Sequence, residues 1–161
     1  MMYDGGMKPI FLILTLMTMP VSAKSPVDIV LDDFHKAAAE ADGTRYFNHF
    51  AKLGYFIGTD ATERWTVAEF RKYADPVFAK GKGWTYHPRD RHLFYAPGGK
   101  IAWFDEMLDN KHYGETRGTG ILVREDDDWK IAQYHLTVPV PNSLLGEVVK
   151  MIRNNKKSKT P

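Results

Sequence analysis

At Trp84 the hydrophobic pattern of this chain changes period, and that change restricts the fold more than any other feature. Upstream, apolar residues recur at spacings of three and four, as in Val27, Val30, Leu31, Phe34, Ala38 and Ala41, which marks one face of a helix. Downstream, alternation with a period of two runs through residues 84–96, 100–109, 115–124 and 129–138, which predicts four strands. The connections are Pro97-Gly98-Gly99, residues 110–114 and Glu125-Asp126-Asp127-Asp128. Each is short and rich in turn formers, so consecutive strands are expected to pair as hairpins. Helices followed by such a meander give an α+β domain with helices on one sheet face. Strands this long form a sheet that twists and curves. Gly118 and Gly120 share one face of the third long strand and remove side-chain volume there, which suits a bend or a cavity floor.

Local signals punctuate the helices. Ser25-Pro26 reads as an N-cap and first helical position, and Asp42-Gly43 ends that helix. Thr44 is expected to cap a second, short helix through Phe50, and residues 53–58 read as a first strand. Thr66-Val67-Ala68-Glu69 is a capping box that opens a helix through Ala79. Asp75-Pro76 is expected to interrupt it, because proline disfavours helix at the preceding residue. Pro139 and Pro141 stop the last strand. Asn142 or Ser143 then caps a final helix with Leu144, Leu145, Val148, Val149 and Ile152 on one stripe.

Met7-Lys8, an apolar run from residue 10 to 17 and Val21-Ser22-Ala23 have the layout of a secretory signal peptide, cut between Ala23 and Lys24. The run is too short to span a bilayer comfortably, which sets this reading against an uncleaved anchor. The expected division is a signal peptide over 1–23, one domain over 24–142, and a C-terminal helix with a basic tail over 143–161. The expected location is secreted or periplasmic. With no cysteine, the exported domain must be held by its core alone. Much of the net charge of +2 sits in Lys150, Arg153, Lys156, Lys157 and Lys159. The nearly balanced remainder argues against nucleic-acid binding.

Phe56-Ile57-Gly58-Thr59-Asp60 with Glu63-Arg64-Trp65, then residues 117–123 and 129–137, resemble the first strand and loop and the last two strands of SnoaL-like domains. These belong to the nuclear-transport-factor-2-like superfamily, with a cystatin-like fold. The closing Trp-x-Ile-x-x-x-His-x-Thr pattern is also similar to the association (hub) domains of calmodulin-dependent kinases. The resemblance implies a cone in which a curved antiparallel sheet wraps N-terminal helices, a pocket between them, and frequent homodimers. The superfamily includes isomerases, cyclases, dehydratases, hub domains and proteins of no known activity, so fold does not settle function. Its ketosteroid isomerases need carboxylates at positions that fall near Gly58 and near Thr119 or Gly120; Asp60, the nearest acid, is displaced.

Three residues could carry chemistry. Alternation places Trp103, Asp105 and Met107 on one strand face and Phe104 and Glu106 on the other. If Asp105 faces the cavity beside Trp103, burial would raise its pKa and suit it to proton transfer; the plainer alternative is a paired structural acid. His135, expected on one face with Trp129, Ile131, Gln133 and Thr137, is a candidate base or donor, or a hydrogen-bonded residue of the outer face. Arg117 could clamp a carboxylate at the pocket mouth, or join a cross-strand ion pair with Asp105, Glu106 or Glu115. Tyr46, Phe56, Trp65, Trp84, Trp103 and Tyr134 are the candidate pocket walls, or plain core. His87, His92 and His112 lack metal-ligand spacing, Arg117-Gly118-Thr119-Gly120 is no phosphate loop, and no Gly-x-Ser-x-Gly elbow exists. No cofactor is expected. The leading expectation is a homodimeric module that binds a small apolar or amphipathic molecule. The alternatives are a proton-transfer enzyme using Asp105 with Tyr134 or His135, and a structural module that only dimerises.

Overall fold

The computed structural model describes residues 23–158. The expected signal peptide, residues 1–23, lies outside the described residues but for Ala23. Helix α1 (Pro26–Ala39) starts where Ser25 accepts the Asp28 amide, and α2 (Gly43–Asn48) is capped by Asp42. Strand β1 (Phe50–Ile57) and the short β2 (Arg64–Thr66) precede α3 (Val67–Phe78). The capping box forms: Thr66 accepts from the Glu69 amide and Glu69 reaches back to the Thr66 amide. The helix runs through Pro76 to Phe78 instead of breaking there. Proline removes one hydrogen bond, and so close to the helix end few bonds beyond it depend on that turn.

Strands β3 (His87–Tyr95), β4 (Ile101–Asn110), β5 (Gly114–Glu125) and β6 (Asp128–Thr137) come next as consecutive hairpins. They join β1 and β2 in one curved, open sheet of order β2-β1-β6-β5-β4-β3. The pairing is antiparallel except between β1 and β6, which run parallel. Helices α1, α2 and α3 cover the inner face. The core between is largely rings: Phe34 stacks on Tyr46 with centroids 4.5 Å apart, and Phe56 on Phe70 at 4.1 Å. Burying each such ring contributes about 2 kcal/mol, so this disulfide-free core is built from its costliest-to-expose residues. Helix α4 (Leu145–Ser158) closes the chain, with Leu145, Met151 and Ile152 exposed.

Two irregularities decide which side chains face inward. On β3, Arg89 pairs with Met107 and His92 with Asp105, so Asp90 and Arg91 together oppose Glu106. This bulge puts the extra residue at Asp90, whose φ is +48°. In an unbroken ladder residue 91 would face outward opposite Asp105; the bulge turns Arg91 to the inner face. On β6, Ile131 pairs with Leu122 and Gln133 with Ile121, which leaves Ala132 as the extra residue. Strict alternation therefore fails: Trp129 and Ile131 are buried on the same side as Tyr134 and Leu136, while His135 faces away from them.

A left-handed backbone tolerates aspartate or glycine and penalises β-branched residues. Asp90→Val is expected to lower stability by about 1–2 kcal/mol in urea unfolding, while Asp90→Gly leaves it nearly unchanged.

Candidate functional site: a ring-lined cavity over a buried ionic network

Between α1, α3 and the inner sheet face lies a cavity of about 200 Å³. Phe34, His35 and Ala38 reach it from α1, Phe70 and Tyr73 from α3, and Tyr134 and Leu136 from β6. The segment after β1 supplies Gly58, Thr59 and Glu63, and exposed Tyr73 and Tyr113 stand at its rim. Phe56, Trp65, Phe70 and Tyr73 lie within 20° of parallel in their successive contacts, and Tyr134 is parallel to Phe56 within 8°. One wall is therefore a row of parallel rings.

Beneath the cavity is an ionic network. Glu106 is wholly buried on β4, among inward-facing Ala102, Phe104 and Leu108. Its Oε1 is 2.7 Å from His35 Nε2 and accepts the Tyr134 hydroxyl at 3.2 Å; its Oε2 accepts Arg91 Nε at 2.7 Å. Arg91 Nη1 also donates to Asp28 and Asp32 on α1. Burial on its own would raise the Glu106 carboxyl, but His35 and Arg91 hold it below its ordinary value of 4.5. Burial likewise pushes the Tyr134 phenol well above its usual range, helped by the Glu106 charge. Tyr134 is therefore a neutral donor. A Cβ at Gly118 would lie 2.3 Å from the Tyr134 hydroxyl oxygen and 3.1 Å from Glu106 Oε1, so glycine there leaves room for their contact. Gly120 is tighter, with the Gln133 carbonyl oxygen 2.3 Å from where a Cβ would sit.

The structure distributes the candidate residues over both faces. Tyr46, Phe56, Trp65 and Tyr134 line the cavity, as does Trp84. Asp105 does not: it lies on the outer face, half-exposed, and pairs with exposed His92 at 3.3 Å. Trp103 shares that face and is 44% exposed. The strand alternates as expected, but the inward register is 102-104-106-108, so Glu106 is the buried acid and Asp105 the outward one. His135 is on the outer face opposite Thr119. Arg117 is exposed, and Glu115, one of the partners expected for it, is taken by Arg89. The arginine that meets the inner acid is Arg91. His35, Glu106 and Arg91 are thus the site residues missed in the sequence. His35 was traceable, being a polar residue on the inner stripe of α1 between Leu31 and Ala38; Arg91 was not, because its orientation depends on the bulge.

Removing one partner of a buried ion pair leaves the other charge unpaired. Arg91→Gln is expected to cost about 3 kcal/mol in urea unfolding, and a joint Arg91→Leu, Glu106→Leu change to recover most of it. The sign of the pH effect comes from the lowered Glu106 value: its contribution is full above about 4.5 and is lost as pH falls through the folded-state value. In Arg91→Gln, burial faces less opposition, so the acid loss of stability should begin at higher pH in urea melts.

No curated protein matches the chain in sequence. Solved structures match in fold. An NTF2-like protein of unknown function from Pseudomonas putida KT2440 has a TM-score of 0.61 at 10% identity, over 72% of this chain and 86% of that one. A protein from Novosphingobium aromaticivorans provisionally assigned as a scytalone dehydratase has 0.60 at 10%, over 71% and 83%. One from Shewanella frigidimarina provisionally assigned as a ketosteroid isomerase has 0.54 at 19%, over 70% and 95%. These likenesses establish the nuclear-transport-factor-2-like, cystatin-like fold and no single activity. The SnoaL-like domain model matches residues 27–141, nearly the whole span from α1 to the end of the sheet, and the chain belongs to that family.

Proposed function

We propose that this is an exported, homodimeric domain that holds one compact, flat molecule in the cavity between sheet and helices. The observation that carries the reading is the cavity wall itself: parallel rings from β1, β2, α3 and β6 beside an open volume of about 200 Å³. Concave, ring-lined sites with a few polar groups suit small-molecule binding, and parallel rings favour a planar occupant between or against them. Tyr134 and His35 supply the polar end. Export is supported by the N-terminal pattern and by where α1 begins: a chain cut before Lys24 keeps the Ser25 cap. Dimerisation is supported by the outer sheet face, where Phe94, Trp103 and Ile121 form a cross-strand apolar row, with Phe94 stacked on Trp103 at 5.8 Å.

A second reading is proton transfer on the held molecule, favoured by the His35–Glu106 contact. A carboxylate behind an imidazole fixes its orientation and stabilises its protonated form, as in acid–base pairs generally. The dehydratase and isomerase assignments of the two neighbours belong to that class of chemistry. In this reading His35 replaces Asp105 as the acting group.

A thermal-shift screen of planar ring compounds should find occupants that raise Tm; one present at a hundredfold its Kd adds about 2.7 kcal/mol of stability. No hit across a broad set of such compounds would defeat the binding reading. Once a substrate is known, His35→Gln should cut turnover by a hundredfold or more while the ligand-induced shift persists. Trp103→Glu should convert a dimer to a monomer in light scattering after size exclusion, without loss of the cavity. N-terminal sequencing of the exported protein should begin at Lys24.

A further inference from the structure

The cavity has a charge character that its apolar walls conceal. Ten of its sixteen lining residues are aromatic, and among the described residues no lysine or arginine reaches it. Its ionisable lining groups other than phenols are Glu63 and His35. Burial holds the Tyr46 and Tyr134 phenols well above their usual range and Tyr86 at about 12, so these rings stay neutral and electron-rich.

Glu63 is placed at the rim by Gly58. A Cβ at residue 58 would lie 2.2 Å from Glu63 Oε2, so the carboxylate occupies the space that any side chain there would take. Its Oε2 accepts the Asp60 amide at 3.1 Å, and no cation pairs with it among the described residues. Beneath the cavity, the carboxylates of Glu106, Asp28 and Asp32 are shared among Arg91, Lys24 and His35. Arg91 Nη2 has no partner among the described residues, but Arg91 does not line the cavity and three carboxylates surround it. An anionic occupant would therefore meet the Glu63 carboxylate at the rim and find no lysine or arginine on the cavity wall among the described residues.

Two of the lining rings, Tyr86 and Tyr113, stand outside the stacked wall and leave faces that a cation can reach. Elsewhere the protein places its own guanidiniums over aromatic faces: Arg64 over Tyr55 at 4.1 Å, Arg71 over Phe47 at 4.5 Å and Arg124 over Trp129 at 5.8 Å. None of those three rings lines the cavity, and no cavity ring carries such a partner among the described residues. Tyr86, half-buried on the cavity wall, makes no ring contact among the described residues, and rim residue Tyr113 touches only the His112 ring among them. Neutral rings around a concave space with a carboxylate that no cation pairs with are the arrangement that recognises organic cations.

Resting on the reading of the domain as a small-molecule binder, we propose that the occupant is a small organic cation, an amine or quaternary ammonium bearing one flat ring. Its ring lies along the parallel aromatic wall and its charged head is balanced by Glu63. No bond is made or broken in this step; the site holds the cation by cation–π attraction and one carboxylate.

The test compares three probes on the mature full-length protein by isothermal titration: phenyltrimethylammonium, the neutral N,N-dimethylaniline at pH 7.5, and benzoate. The cation is expected to bind about tenfold or more tightly than the neutral ring, and benzoate weakest. Glu63→Gln should weaken the cation about fivefold and leave N,N-dimethylaniline unchanged, which also reports that the variant is folded. Equal or tighter binding of N,N-dimethylaniline, or tightest binding of benzoate, overturns the cation assignment while leaving the small-molecule reading intact. An unchanged cation affinity in Glu63→Gln removes Glu63 from the site and with it the proposal as stated. If none of the three binds, and the planar-ring screen also gives no shift, the binding reading falls and takes this one with it.

Discussion

Glu106 sets the terms for everything around it. A fully buried carboxylate on a strand face shared with Phe104 and Leu108 is tolerable only if every lone pair is answered, since desolvating a bare charge costs several kcal/mol. Three elements converge to answer it: α1 with His35, the β3 bulge with Arg91 and β6 with Tyr134. Arg91 in turn is tied to Asp28 and Asp32, so the network pins α1 onto the sheet at a defined height. Replacing such a cluster by apolar side chains would often be neutral or stabilising. Its presence therefore fits a role in placing His35 and Tyr134 at the cavity better than a role in stability.

That fixed height is what leaves the cavity open. Rings alone would close on each other, because close packing rewards any collapse. Here the α1 side is held by ions and the α3 side by its capping box and by ring stacking on Phe56 and Trp65. Gly118 and Gly58 then remove volume where Tyr134 and Glu63 must fit. The hollow is thus a consequence of polar constraints at its floor and missing side chains at its sides.

How much of this could be read in the sequence depended on whether local rules were enough. Period, caps and turns are local: they gave α1, the capping box of α3 and the four-strand meander at nearly the observed bounds. Arg64 and Trp65 read as loop and Thr66 as the cap of α3, yet the three form β2, because a three-residue strand has too little pattern to register against its neighbours. The site was less legible for a related reason. On β4 both parities are apolar, Ile101-Trp103-Met107 and Ala102-Phe104-Leu108, so alternation could separate Asp105 from Glu106 without saying which points inward. Only burial decides, and it depends on which face α1 covers. The two bulges are non-local in the same sense: neither Asp90 nor Ala132 carries a strong residue-level mark of an inserted position. Each reverses the parity of the residues after it in its strand, which brought Arg91 in and sent His135 out.

The sheet consequently divides its work by face. Outward are Phe94, Trp103 and Ile121 in one row, with the His92–Asp105 pair beside them; half-exposed as they are, they suit contact with another surface rather than chemistry. Inward are the titratable groups that burial and charge have shifted, Glu106 and Tyr134. Shifted groups buried beside a cavity are functional candidates with a physical rationale. That asymmetry moves the search for function from Asp105, where the sequence first directed it, one residue along the strand and through to the other side.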